Sequence, residues 1–492
     1  MKLEFPREIE EMALKLNKAG FEAYLVGGCV RDLILNRKPK DWDLTTNALP
    51  QQIIDLFEKT FYENNFGTVG VVNDSPAGEV SDETLKIVEI TPFREEGNYS
   101  DFRRPDEVKF GSTLNVDLQR RDFTINAIAI DPIKKEIHDP FEGQKDIKDK
   151  ILRAVGDPDK RFKEDGLRML RAVRISTELG FTLDKKTIEA IKNDAQLIKN
   201  ISKERIRDEF SRILMSAKPE KGIILSHELG ILKFILPELE ASIGVDQNKA
   251  HSFDVWTHLL KSLQHSADKN MTFHVRLSAL LHDIAKPDTR RWSDEKKDWT
   301  FHGHEVVGAR KAEKILKNLK FSRETIEKVA KLVRWHMFFS DTEQISLSAV
   351  RRIVSKVGKE NIWELMDIRA CDRIGTGRPK ESPYRLRKYH SMIDEVMMDP
   401  ISVSMLKING NDLIKSAKID PGPRIGYILH ALLEEVLDDP NRNTEDYLLK
   451  KALELMELPE KDLKKIGESG KEKKEEKKEE IVEDIRKKHW VK

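Results

Sequence analysis

Asp41 and Asp43 stand one residue apart in KDWDLTT, and Gly27 and Gly28 lie shortly before them in LVGGCVRD. On a strand, residues i and i+2 point to one face, so this spacing predicts two carboxylates side by side. Such a pair repels itself unless a cation joins it, and magnesium prefers oxygen ligands of this kind. Two magnesium ions held there can activate an attacking 3′-hydroxyl and stabilise a leaving pyrophosphate. The Gly-Gly turn suits the same chemistry, because glycine lets backbone amides approach a phosphate and a helix N-terminus favours negative charge. Arg31, in the first turn of the helix that follows, is placed to contact a triphosphate. Taken alone, Asp-Trp-Asp reads as a polar strand end and Gly-Gly as a tight turn. The order of strand, glycine turn, Arg-Asp, helix and acidic strand is the specific signal.

Arg161, Asp165 and Arg168 in RFKEDGLR fall at offsets of four and three, which on one helix share a face. A salt-bridge ladder satisfies that spacing. So does a protein template for a base: cytosine and adenine each present an exocyclic amine beside an unprotonated ring nitrogen. Asp165 can accept from the amine while Arg168 donates to the ring nitrogen. Uracil and guanine present the reverse pattern and would leave buried groups mispaired.

The elements that must position these residues change along the chain. In residues 1–150, EAYLVGGCV, KDWDLTT, TVGVVND, LKIVEITPF, VKFG and FTINAIAID read as strands, with VRDLILN as a helix. After about residue 151 the apolar residues recur at helical spacing, with Gly and Pro at the breaks. The expected organisation is an α+β head (1–150), a helical neck and body (151–249), a His- and Trp-rich helical domain (250–376), and a helical region (377–456) after GTGRPKESP. Residues 457–492 carry a Lys/Glu run without an apolar face over most of its length, expected to be disordered or a solvated helix.

LVGGCVRDLILNRKPKDWDL resembles the signature of the polymerase-β-like nucleotidyltransferases, specifically the class II tRNA nucleotidyltransferase and bacterial poly(A) polymerase family. RRDFTINAIA resembles that family's ribose-recognition motif, RFKEDGLRMLRAVRIS its base-recognition motif, and ERIRDEFSRIL its next helical motif. The resemblance implies a polymerase-β-like head and addition of the tRNA C-C-A end from CTP and ATP. It implies Mg2+ on Asp41 and Asp43, and nucleotide contacts from Gly27, Gly28, Arg31, Arg120, Arg121, Asp122, Asn126, Arg161, Asp165, Arg168 and Arg171. ITPFREEGNYSDFRRP resembles the family's flexible loop, linked with switching from C to A addition. Glu89 is a candidate third acidic group. Poly(A) polymerase, a CC- or A-adding specialist, and a scaffold are the competing readings.

His258 in DVWTHLL, His282-Asp283 in LLHDIAKP and Asp372 in IRACDRIG follow the order of the HD-domain metal phosphohydrolases, which residues 250–376 resemble. Imidazole and carboxylate suit a transition metal or magnesium holding a water for attack on a phosphoester. A lone helical histidine is usually structural; four positions in order point to metal. His302, His304 and His336 are candidates for a second metal or a phosphate. A protein whose main activity is this hydrolysis is a further alternative, opposed by the intact acidic pair.

Composition sets outer bounds. A chain of 492 residues is too long for one core, and its 35% charged residues suit water. No run of about 18 apolar residues exists to span a membrane, and the N-terminus lacks a signal-peptide core. Cys29 and Cys371, far apart, suit a reducing cytoplasm rather than a disulfide framework. The net charge of +1 gives no global signature of an RNA binder. Local basic surface is expected from Arg94, Arg103, Arg104, Lys109, Arg120 and Arg121.

Overall fold

The computed structural model describes residues 4–62, 67–73, 82–97, 108–111, 113–337, 345–397, 403–416 and 421–491. Arg103, Arg104 and the second half of the expected flexible loop, residues 98–105, lie outside these residues. The fold is α+β. Among the described residues nine short head strands follow in chain order: β1 (Ala23–Val26), β2 (Asp43–Thr46), β3 (Thr60–Tyr62), β4 (Val69–Val72), β5 (Ile87–Pro92), β6 (Arg94–Glu96), β7 (Val108–Phe110), β8 (Ala129–Ile130) and β9 (Ile137–His138). Seven of them form a sheet in the order β3-β4-β5-β2-β1-β8-β9, while β6 and β7 pair as a separate ribbon. β2 runs parallel to β5 with Asp43 opposite Glu89, and antiparallel to β1. Leu25, Leu44, Val88 and Ile90 are fully buried, so β1, β2 and β5 form the rigid floor of the head.

The expected FTINAIAID strand is shorter than its apolar content suggests. Thr124–Asn126 is a 3-10 turn and β8 starts only at Ala129, because the Thr124 and Asn126 side chains are committed to Asp146 and Asp122.

Beyond the head the described chain is mainly helical. Pro158–Glu164 and Leu167–Leu179 follow the head, Lys203–Met215 packs on Leu167–Leu179, and Val255–Asp268, Phe273–Leu281, His304–Asn318 and Arg323–Trp335 continue the same core. The chain forms two compact units, residues 1–336 with 367–379 and residues 337–366 with 380–492. The expected boundaries near 150 and 250 fall inside the first unit. No helix among the described residues is long and apolar enough to cross a membrane.

Of the two expectations for the tail, a disordered segment or a solvated helix, the chain takes the helix, docked at its flanks. Glu460–Lys488 is one helix packed along Pro423–Asp438 within the second unit. Leu463 is buried, and Ile466 and Ile481 pack against the same core. The Lys/Glu run is indeed mostly exposed; the docking residues flank it, which is why averaging over the run hides them.

Candidate active site

The glycine turn and the acidic pair meet. Gly27 has φ 79°, a left-handed conformation that glycine adopts without strain. A β-carbon there would lie 3.2 Å from Asp43 Oδ2 and 3.3 Å from an Arg121 guanidinium nitrogen. At Gly28 it would lie 3.6 Å from the Arg31 guanidinium and 3.8 Å from Asp41 Oδ1. The expectation that both aspartates sit on one strand needs correction. β2 begins at Asp43, and Asp41 occupies the preceding bend, with buried Trp42 anchored between them by its Nε1 donating to Thr84 Oγ1. Beneath them Cys29 is buried with Sγ 3.0 Å from the Val26 carbonyl. Burial first, then the Asp43 and Asp41 charges, push its thiol up to about 12. The paired oxygen donors fit a hard divalent cation.

A polar line runs from this end toward the neck. Arg31 donates to Asn126 Oδ1 (3.0 Å), and Asn126 Nδ2 donates to Asp122 Oδ1 (3.1 Å). Asp122 Oδ2 accepts two bonds from Arg171 (2.9 and 2.6 Å). Burial disfavours the Asp122 anion, yet Arg171 and Asn126 outweigh it and hold the carboxyl far below its usual range. Asp122, in turn, raises Arg171 further. Arg120 and Arg121 are both gripped by Asp117, a residue with no signal in the sequence beyond its place in VDLQ.

The base-reading segment also departs from expectation. Arg161, Asp165 and Arg168 do not share one helix: Pro158–Glu164 ends, Asp165 is extended (φ −145°, ψ 104°), and a new helix begins at Leu167. Asp165 accepts from the Leu167 amide at 3.1 Å and pairs with Arg205 through contacts of 3.2 and 2.7 Å. Arg161 and Arg168 both hold Glu164, and each also donates to the Arg120 carbonyl at 3.2 Å. Arg205 and Glu164 stand inside the ERIRDEFSRIL and RFKEDGLR segments, but spacing gave them no individual role.

The histidine cluster is compact and buried. His258 Nε2 lies 2.9 Å from His282 Nε2, 3.1 Å from Asp283 Oδ2 and 3.5 Å from Asp372 Oδ1. The other carboxylate oxygen of Asp283 lies 3.1 Å from His304 Nε2 and 3.5 Å from His336 Nε2. His302 is exposed and stands outside the group, which corrects its candidacy. The Nδ1 atoms of His282, His304 and His336 each face the carbonyl three residues earlier, at 2.9, 2.7 and 2.7 Å. The Nε2 atoms of these rings thereby face the Asp283 and Asp372 carboxylates, a donor set that fits either protons shared with the carboxylates or a bound cation. Burial opposes charging His282, but Asp283 and Asp372 prevail and raise it to about 10. Lys286 Nζ sits 2.6 Å from Asp283.

Residues 23–153 match the poly A polymerase head domain, 180–243 the probable RNA and SrmB-binding site of polymerase A, and 290–452 a putative tRNA nucleotidyltransferase domain 2. The chain is 32% identical over 437 residues to the CCA-adding enzyme of Lactobacillus helveticus, covering 88% of this chain and 94% of that one. It is 33% identical over 434 residues to the CCA-adding enzyme of Lactobacillus delbrueckii subsp. bulgaricus, with 88% and 93% covered. The crystal structure of the Bacillus stearothermophilus CCA-adding enzyme in complex with CTP superposes with a TM-score of 0.59 at 26% identity, over 92% of this chain and 98% of that one. With a third of its residues shared along nearly the whole length of such relatives, and a head whose acidic pair meets a glycine turn, the chain belongs to the CCA-adding enzyme family of tRNA nucleotidyltransferases.

Proposed function

We propose that this protein adds the 3′-terminal C-C-A of tRNA from CTP and ATP. The observation that carries the reading is the meeting, within one compact unit, of the acidic pair at the glycine turn with the Asp165–Arg168 segment, joined through the Arg120 turn. Relatives alike over nearly their whole length are CCA-adding enzymes, which favours this over poly(A) synthesis.

Asp41 and Asp43 would hold Mg2+, two ions on this reading, which would supply activation of the tRNA 3′-hydroxyl and charge stabilisation for the departing pyrophosphate. Arg31 and Arg121 bind the triphosphate above Gly27 and Gly28. Asp122, its acceptor positions filled by Asn126, Arg171 and the Phe123 amide, acts by orienting Asn126 toward the ribose. Asp165 accepts from the base amine while Arg168 donates to the ring nitrogen, so C and A are taken and U and G refused. The tRNA acceptor end is held by shape and backbone contacts. Both cysteines are buried and neither forms a disulfide among the described residues, which suits action in the cytoplasm.

The test is incubation of tRNA lacking C-C-A with Mg2+ and CTP, ATP or both, resolved by product length. Two C additions followed by one A and a stop support the reading; an extended A ladder on varied RNA replaces it with poly(A) polymerase.

A second reading rests on the anchored imidazoles. His258, His282, Asp283 and Asp372 would hold a divalent transition metal or Mg2+, which would supply activation of a water for hydrolysis of phosphate ends, such as 2′,3′-cyclic phosphates, that block the tRNA 3′-hydroxyl. His282→Ala with Asp283→Ala is expected to abolish metal-dependent phosphohydrolysis and spare nucleotide addition. Unchanged hydrolysis in that variant removes this site from consideration.

A further inference from the structure

We propose that Asp117 is a positioning residue for nucleotide addition, one buried carboxylate that aligns the triphosphate end and the base end of the site together. The inference rests on the nucleotide-adding reading given above.

Asp117 lies in the short helix Leu114–Gln119 and its side chain is wholly buried. Its two oxygens are divided. Oδ1 accepts from Arg120 Nε (2.9 Å) and Nη2 (2.6 Å), and Oδ2 accepts from Arg121 Nη2 (3.0 Å). Burial disfavours the Asp117 anion, but the two guanidiniums outweigh it and keep the carboxyl below its usual range. One carboxylate therefore fixes two arginines that follow it by three and four residues.

The two arginines lead to opposite ends of the site. Arg121 reaches the space above Gly27, beside Asp43 Oδ2, where phosphate charge is expected. Among the described residues its Nε is buried without a hydrogen-bond partner, while its Nη2 is held by Asp117. Arg120 serves through its backbone. Its carbonyl accepts from Arg161 and from Arg168 at 3.2 Å each, and the Gln119 carbonyl accepts from Arg161 at 2.7 Å. The turn that Asp117 clamps is thus the hook from which the base-reading arginine hangs. Asparagine would keep one acceptor oxygen but turn an NH2 group toward a guanidinium, donor against donor, so one arginine must let go.

The test compares the full-length parent with Asp117→Asn, measuring kcat and KM for CTP, ATP and tRNA lacking C-C-A, and the preference for CTP over UTP. Releasing either arginine loosens the turn that carries both, so the substitution is expected to raise both nucleotide KM values about tenfold and to lower the CTP preference by about the same factor. The KM for tRNA is expected to stay within about twofold. Asp131→Asn is the control: it removes another buried carboxylate, one that caps the Ile133 and Lys134 amides (2.9 and 3.0 Å) and pairs with the Lys134 ammonium at 3.7 Å, and is expected to lower stability without moving these ratios. A folded Asp117→Asn with parental nucleotide KM and CTP preference overturns the proposal, as does an Asp131→Asn that shifts them equally. If Asp117→Asn does not fold, Asp117→Glu keeps the charge on a longer arm, and parental values there overturn it equally. CTP binding by calorimetry separates the two inferences. A parent that binds CTP, loses affinity in Asp117→Asn and yet extends no tRNA defeats the tRNA reading while the alignment stands.

Discussion

Asp122 illustrates how a residue in a recognised motif acts through its neighbours. Its carboxylate accepts from Asn126, Arg171 and the Phe123 amide, which leaves little capacity for a ligand. Asp122→Asn is expected to release Arg171 and destabilise the fold by about 1.5–3 kcal/mol, the range for hydrogen bonds to charged groups. The pH dependence follows from linkage. The folded carboxyl titrates below its ordinary 3.8, held there against burial by Arg171 and Asn126. Its contribution is therefore complete above the unfolded value and is lost as pH falls toward the folded one. Urea midpoints of the parent should fall more steeply below about pH 4 than those of Asp122→Asn; parallel curves would mean the pair adds nothing to stability. The variant is also expected to lose nucleotide affinity, because Asn126 and, through it, Arg31 lose their anchor.

At the scale of elements, β1, β2, the Gly-Gly turn and β5 were legible because β-branched runs and a glycine pair are local signals. The break at Asp165–Gly166 was not. The i, i+4, i+3 spacing continues through it and no proline interrupts, so one helix face was the natural inference. What breaks the helix comes from far along the chain: Arg205 pulls on Asp165, and Gly166 lies against the backbone at Leu197. A β-carbon on Gly166 would stand 3.2 Å from the Leu197 carbonyl oxygen, a contact that backbone relieves only by moving the template. Gly166→Ala is accordingly expected to lower kcat/KM for CTP and ATP about tenfold or more, while far-ultraviolet circular dichroism stays parental. Full activity in that variant would show that the break tolerates a shift. The histidine cluster was legible in part for the same reason: order along the sequence named His258, His282, Asp283 and Asp372. It could not sort His304 and His336 from His302, since FHGH places both of its histidines within reach until the fold buries one and exposes the other.

At the scale of the whole molecule, the second unit depends on a helix that composition had marked as disordered or solvated. A charge run with both signs interspersed has no apolar face to bury, and the strength of that rule concealed the small residues before it. Gly470 lies so close to the facing helix that a β-carbon would stand 2.5 Å from the His430 carbonyl oxygen, and Gly467 would approach the Tyr427 backbone at 2.8 Å. Those distances are possible only because both residues lack side chains, and the opposing atoms are backbone that cannot rotate away. Gly470→Val should therefore part the two helices, costing about 1–3 kcal/mol as overpacking does. The expected readout is faster amide exchange across 460–488 and a lower melting transition for the second unit. CTP affinity is expected to stay parental, because the acidic pair, the Arg120 turn and Asp165 belong to the first unit. Unchanged exchange over 460–488 would mean that this helix stands free in solution, as its charge pattern alone suggests. Faster exchange there with parental CTP affinity would instead assign the glycines their role: beside Leu463 and Ile466 they let the backbone of a charged helix come close enough to dock.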